Sequence, residues 1–265
     1  MPALPYWHVD AFADAPFQGN PAAVMPLERW VGDAVLQAIA EENNFAETAF
    51  VVMDQTGETD WELRWFTPTE EVQLCGHATL ASGHVLLRRD GGDAVTFRTR
   101  KSGTLKVQRM ARGYELALPA IVTQQSDWPE AARLLGGAPT ECWRNPDGYD
   151  VFLYPDEDAI HALEPDLRGL ATLGNNLFVC TAPGRQTDVV SRVFVPGGGV
   201  DEDPVTGAAH ATLTPLWTAR LNRDSFTAYQ ASKRGGHLTC RLEGDRAILS
   251  GECVTVVEGT FYLPD

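Results

Sequence analysis

Two segments of this chain are small or apolar on every side, and they limit what it can fold into. Gly76–Leu87 carries only His77 and His84 as ionisable groups, and Gly207–Leu221 only His210 and Arg220. A helix with no polar face has to be enclosed by protein rather than laid on a surface. Each segment stands among short runs of alternating hydrophobicity, the pattern of half-buried strands. The first series is Tyr6–Phe12, Thr48–Met53, Trp61–Thr67, Ala94–Thr99, Thr104–Met110 and Tyr114–Leu118. The second is Tyr149–Tyr154, Leu177–Cys180, Ser191–Val195, Phe226–Gln230, His237–Leu242, Ala247–Leu249, Val254–Val257 and Phe261–Leu263. Turn-length connections such as Ala111-Arg112-Gly113 favour antiparallel neighbours. The pattern predicts an α+β fold of two pseudo-symmetric halves, each a mostly antiparallel curled sheet around a central buried helix.

The alternation lapses over Pro119–Trp128, which places the boundary there. The expected halves are residues 1–118 and 119–265, with the last strands free to cross back to the first half. Three lesser helices are predicted. Trp30–Glu42 would pack through Val31, Val35, Ile39 and Ala40; Pro129–Leu135 would stop at Gly136, and Pro165–Leu173 at Gly174. Pro215 should cost the second long helix a backbone bond and kink it. The tetrapeptide His-Ala-Thr-Leu occurs at 77–80 and 210–213, but it sets Gly76 opposite Ala209 and not Gly207, so it reads as coincidence.

The 265 residues are 44% hydrophobic and 22% charged, the composition of a globular protein. A net charge of −15 makes nucleic acid and anionic membranes poor partners. No apolar run approaches the roughly 20 residues that span a bilayer, and the N-terminus reads as no targeting segment, so the expected compartment is the cytoplasm. Five widely spaced cysteines without a CxxC pair suggest neither a disulfide framework nor a zinc site. No metal is expected, because no HxH or HExxH spacing is present. The Pro196–Gly199 loop lacks the lysine and hydroxyl ending of a phosphate loop.

Free amides and the dipole at a helix start attract anions, and glycine lets a ligand come close. Gly76-His77 and Gly207-Ala208 each offer this, and in facing halves the two would share one cleft suited to a small anionic substrate. Glu47 sits among Phe45, Ala46 and Ala49, where poor solvation would make its carboxylate a better base. Spacing alone favours a solvent-facing acid at the end of a strand. Asp203 lies just ahead of the second long helix and reads equally as a ligand or as an acid balancing the dipole. His77 is placed to donate to a substrate oxygen.

At these positions the sequence resembles the phenazine-biosynthesis PhzF-like proteins, a branch of the diaminopimelate-epimerase-like fold group. The resemblance runs through Val9–Phe12, Gly19–Val24, Ala46–Phe50, Arg64–Pro68, Leu74–Thr79, Arg192–Phe194, Glu202–His210 and Gln230-Ala231 in order. It implies a cofactor-independent isomerase of a small carboxylic or amino acid and a homodimer. It implies that Glu47 moves the proton, and that Asn20, Gly76, His77, Asp203, Gly207 and Ala208 contact the substrate. The racemases of the fold group use two thiols. Here Cys75 stands at the first place, but the second half has no cysteine there, leaving a Cys75–acid racemase or epimerase as an alternative. A non-catalytic binding or scaffold protein is another. Many PhzF-like proteins carry serine at the positions of Ala46 and Ala208, so the substrate is expected to differ from that of phenazine synthesis.

Overall fold

The computed structural model of the protein describes residues 3–263. In chain order the first elements are β1 (Ala3–Ala11), β2 (Asn20–Leu27), α1 (Asp33–Asn43), β3 (Glu47–Met53), β4 (Trp61–Phe66), β5 (Glu71–Val72), α2 (Gly76–Asp90), β6 (Ala94–Thr99), β7 (Thr104–Arg109) and β8 (Tyr114–Pro119). There follow β9 (Gln124–Ser126), α3 (Pro129–Leu135), β10 (Glu141–Arg144), β11 (Tyr149–Leu153), α4 (Glu157–His161), α5 (Leu167–Ala171), β12 (Leu177–Pro183) and β13 (Val189–Phe194). The last are α6 (Gly207–Leu221), β14 (Ser225–Gln230), β15 (Gly236–Glu243), β16 (Arg246–Gly251) and β17 (Cys253–Tyr262). The chain divides into two compact units: one runs to Ala117 and takes in the residues from Ser250 on, and the other is Leu118–Leu249.

In the first unit the strands follow one another as β17, β1, β2, β3, β4, β6, β7 and β8, with β5 also on β4. Most pairs are antiparallel, as the alternation predicts. The pairs β2–β3 and β4–β6 are parallel, and a helix spans each, because no hairpin turn can return a strand to the same direction. Those helices are α1 and α2. Helix α2 lies against β1, β2, β3, β6, β7 and β17, so the sheet curls around it. Every residue from Gly76 to Leu87 is buried. Gly83 makes this possible on one side, since a Cβ there would come within 2.4 Å of the Val107 side chain on β7.

The second unit repeats the plan. Strands β9, β10 and β11 pair antiparallel, β11–β12 is parallel across α4 and α5, and β12–β13 is antiparallel. Strands β13 and β14 are parallel across α6, and β14–β15 is antiparallel. Helix α6 packs on β11, β14 and β15. Its carbonyl at Ala211, which Pro215 cannot serve, accepts from the Ile121 N–H at 3.2 Å. The helix therefore continues through Pro215 to Leu221 instead of ending there.

An internal repeat is written in ion pairs. Arg64 on β4 donates through two nitrogens to both oxygens of Glu71, at 2.7 Å each. Arg192 on β13 does the same to Glu202, at 2.8 and 3.0 Å. Each guanidinium lies 5.0 Å from the ring of the phenylalanine two residues on, Phe66 or Phe194. Each glutamate stands five residues ahead of the glycine that opens the long helix. The paired forks fix the chain as it enters α2 and α6. With Gly76 and Gly207 in register, the two His-Ala-Thr-Leu runs fall out of register, as the sequence indicates.

Several expected elements differ. Strand β2 carries no alternation because β1 and β3 flank it and nearly all its residues are buried. Strand β17 is one strand, not two, since its pairing with β1 runs on through Glu258 and Gly259. Helix α1 begins at Asp33, so Val31 lies outside it and Val35 is exposed; Ile39 and Ala40 face the core as expected, and Leu36 joins them. Helix α5 covers only Leu167–Ala171 of the expected Pro165–Leu173, started by Asp166 accepting from the Gly169 N–H.

Candidate active site

Three elements of the first unit bring four side chains together. Glu47 is the first residue of β3, reached from α1 through Asn44, which closes that helix in the left-handed region with φ 49°. Asn43 then holds the Thr48 hydroxyl at 3.1 Å. Asn20 is the first residue of β2, and Gly19 before it has φ 63° and no room for a Cβ, which would sit 2.2 Å from the Ala11 carbonyl oxygen. Cys75 and His77 stand at the N-terminus of α2.

His77 is the hub. Its Nε2 lies 3.1 Å from Glu47 Oε2. The approach is oblique, so neither of these two buried atoms has a well-aligned hydrogen bond. On the other side of the ring, Nδ1 meets Asn20 Nδ2 at 3.2 Å and Cys75 Sγ at 3.5 Å. Asn20 is fully buried and His77 nearly so, while the Glu47 side chain keeps 18% of its surface. Burial pushes the Cys75 thiol up to about 11, with the Glu47 charge adding to it. For His77, burial disfavours the charged ring; Cys75 and Glu47 favour it, and the balance holds the imidazole above its ordinary value. With Cys75 a neutral thiol at ordinary pH, the Glu47 carboxylate is the charge that supports the imidazolium.

Glu47, Cys75 and His77 are the one trio among the described residues whose donor atoms could reach a common metal ion, lying within 4.8 Å of one another. Their chemistry fits a proton relay better. The site keeps the thiol protonated, and the Nδ1 of His77 is already engaged by Asn20.

The second unit carries Asp203, Gly207 and Ala208. Asp203 Oδ2 accepts from the Thr206 hydroxyl at 2.5 Å. Gln230, a buried polar residue at the end of β14, accepts from the Thr206 N–H at 2.9 Å and donates to the Asp203 carbonyl at 2.7 Å. Ser232 holds the Pro204 carbonyl at 2.7 Å. The turn ahead of α6 is therefore fixed on three sides. His210, one turn in, donates from Nδ1 to the Thr206 carbonyl at 2.9 Å. Burial lowers its pKa to about 4.

Gln230 belongs to the residues that carry the family resemblance but was not among the expected site residues. Its signal was a side chain with an amide ending a strand that is otherwise buried on alternate positions. Nothing in the sequence hinted that Asn20 would lie on His77, a contact that depends on how β2 and α2 pack.

The comparisons agree with this architecture. The family model of phenazine biosynthesis-like proteins matches residues 9–259. An uncharacterised isomerase of Pseudomonas aeruginosa is 46% identical over 263 residues, spanning 98% of this chain and 99% of its own. The crystal structure of a phenazine biosynthesis protein of the PhzF family from Enterococcus faecalis aligns with a TM-score of 0.93 at 41% identity, over 99% of this chain and all of the other. A hydroxyproline epimerase from Agrobacterium vitis shares the fold at 13% identity, with a TM-score of 0.66 over 99% of this chain and 93% of its own. Two sheets each curled on a glycine-led helix are thus the diaminopimelate-epimerase-like architecture, and the chain belongs to the phenazine biosynthesis-like family, with relatives named as isomerases.

Proposed function

We propose that this protein is a cofactor-independent isomerase of a small carboxylic or amino acid, with Glu47 as the group that moves the proton. The observation that carries the proposal is the pair Glu47 Oε2 and His77 Nε2. They are two buried polar atoms 3.1 Å apart, each without a well-aligned partner, which a packed interior rarely tolerates outside a functional site. The Glu47 carboxylate takes a proton from one substrate carbon: the C–H bond breaks, an O–H bond forms, and the electron pair enters the adjoining unsaturated system. The same proton is then delivered to a second carbon, which regenerates the carboxylate. His77 donates to the substrate oxygen or carboxylate on which charge gathers. The family resemblance assigns the remaining substrate contacts to the amides at Gly76, Gly207 and Ala208 and to Asp203. A homodimer, implied by the family resemblance, is part of the proposal.

The racemase reading needs a thiolate at Cys75 and a second base. The thiol is pushed up to about 11, and the residue in the corresponding place ahead of α6 is Thr206, whose hydroxyl is bonded to Asp203. A panel of small unsaturated carboxylic and amino acids in deuterium oxide, followed by NMR, tests the proposal. The wild-type protein should isomerise or exchange one of them. Glu47→Gln should lose about 10²- to 10⁴-fold in rate. Full turnover by that variant would end the proposal.

A further inference from the structure

Asn20 is an expected substrate contact, yet its position suits another task. It is fully buried, and its NH₂ group lies 3.2 Å from His77 Nδ1. An amide NH₂ can only donate, so Nδ1 must accept, and the single proton of a neutral imidazole then sits on Nε2. Cys75, a protonated thiol 3.5 Å from the same Nδ1, is a second and weaker donor there. Both neighbours thus press the proton to the Glu47 side of the ring. When His77 takes a second proton, Nδ1–H needs an acceptor, and the same amide supplies one by presenting its carbonyl.

We propose that Asn20 is a positioning residue: its side-chain amide holds Nδ1 of His77 so that the exchangeable proton stays on Nε2, beside Glu47. The proposal rests on the reading of Glu47 and His77 as the proton-transfer pair, and it assigns Asn20 a part in that pair instead of on the substrate. The wrong tautomer would turn a bare Nε2 lone pair toward the Glu47 carboxylate, which would repel it and leave no donor for the substrate. Among the described residues, the titratable groups that contact His77 are Glu47 from β3 and Cys75 from the turn ahead of α2. Strand β2 contributes the neutral Asn20 alone to this contact.

The test needs no substrate. Protein labelled with ¹⁵N-histidine, with His77 assigned by its loss in His77→Gln, reports the tautomer directly. In the wild type, neutral His77 should show an unprotonated Nδ1 and a protonated Nε2. In Asn20→Ala the neutral ring should shift to a mixture that includes the Nδ1–H form. In the near-isosteric Asn20→Asp, a carboxylate against Nδ1 should raise the His77 titration by about one unit or more. A wild-type ring protonated on Nδ1 alone would overturn the proposal. So would a tautomer and titration unchanged in both folded variants. If Asn20→Ala fails to fold, the wild-type spectrum and Asn20→Asp still decide. Failure of the Glu47 reading shows separately: Glu47→Gln would keep its turnover while the tautomer result stood.

Discussion

The first turns of α2 and α6 occupy the same place in two repeated units, and their histidines behave in opposite ways. His77 meets a carboxylate, an amide and a thiol, and its pKa is held above the ordinary value. His210 meets one carbonyl, its Nε2 has no hydrogen-bond partner among the described residues, and its pKa is lowered to about 4. The residue before each glycine differs in the same sense: Cys75 touches His77, whereas Thr206 is tied to Asp203 and Gln230. One architectural device, an enclosed helix entered through an arginine–glutamate fork, thus carries two different settings. The α2 end gathers a carboxylate, an amide and a thiol around one imidazole. The α6 end holds a backbone turn in place.

The largest test of this contrast is acid stability. His210 and His84, the latter also lowered to about 4 by burial, are neutral in the fold, while in the unfolded chain they titrate near 6.5. Between those values the unfolded chain binds more protons, so stability is full above about 6.5 and is lost as pH falls toward 4. Each histidine contributes up to about 3 kcal/mol of that loss. His77 works in the other direction: its contribution is complete below 6.5 and is lost as pH rises through its higher folded value. Urea unfolding at pH 4.5, 6.5 and 8.5 should show stability greatest near 6.5, with a shallower acid limb in His210→Gln. A wild-type curve flat from 6.5 to 4.5 would break the contrast.

The next test compares the carboxylates. Glu47 is the proposed base, and Asp203 is held by a hydroxyl in a turn. Asp203→Asn should therefore cost about 10- to 100-fold, mostly in KM, against the far larger kcat loss of Glu47→Gln; the smaller figure is one charge-assisted hydrogen bond. Equal losses in kcat would mean that both helix ends do acid–base work.

Much of the fold was legible because two glycine-led apolar helices admit few surroundings. Strand β2 was not, since a strand flanked on both sides and buried on both faces shows no alternation, and Pro21 and Pro26 mask what remains. The two-half plan was legible, but its residue-by-residue correspondence was hidden by loop length: Glu71 follows its arginine by seven residues and Glu202 by ten. A conspicuous tetrapeptide was noise, while the true correspondence lay in a fork that spacing does not reveal. At the site, the residue types at the two helix starts were legible. Glu47 was singled out by resemblance, and its contact with a histidine 30 residues away is made by the parallel β2–β3 pair lying on α2.

The smallest expected effect concerns Cys75, and it is informative for that reason. Its sulfur is buried, kept as a thiol, and shares Nδ1 of His77 with a shorter contact from Asn20. Cys75→Ala removes one sulfur and leaves the amide in place. The loss should be about 1 kcal/mol of stability from a small cavity, and turnover should stay within about tenfold of wild type. A thiol base would behave otherwise, because without its nucleophilic sulfur no proton could be abstracted. Alkylation gives a second reading: with the thiol pushed up to about 11, native Cys75 should resist iodoacetamide at pH 8 and react once the chain is unfolded. Abolished turnover in Cys75→Ala, together with rapid native alkylation, would make the α2 end a thiol site and move Glu47 from base to neighbour.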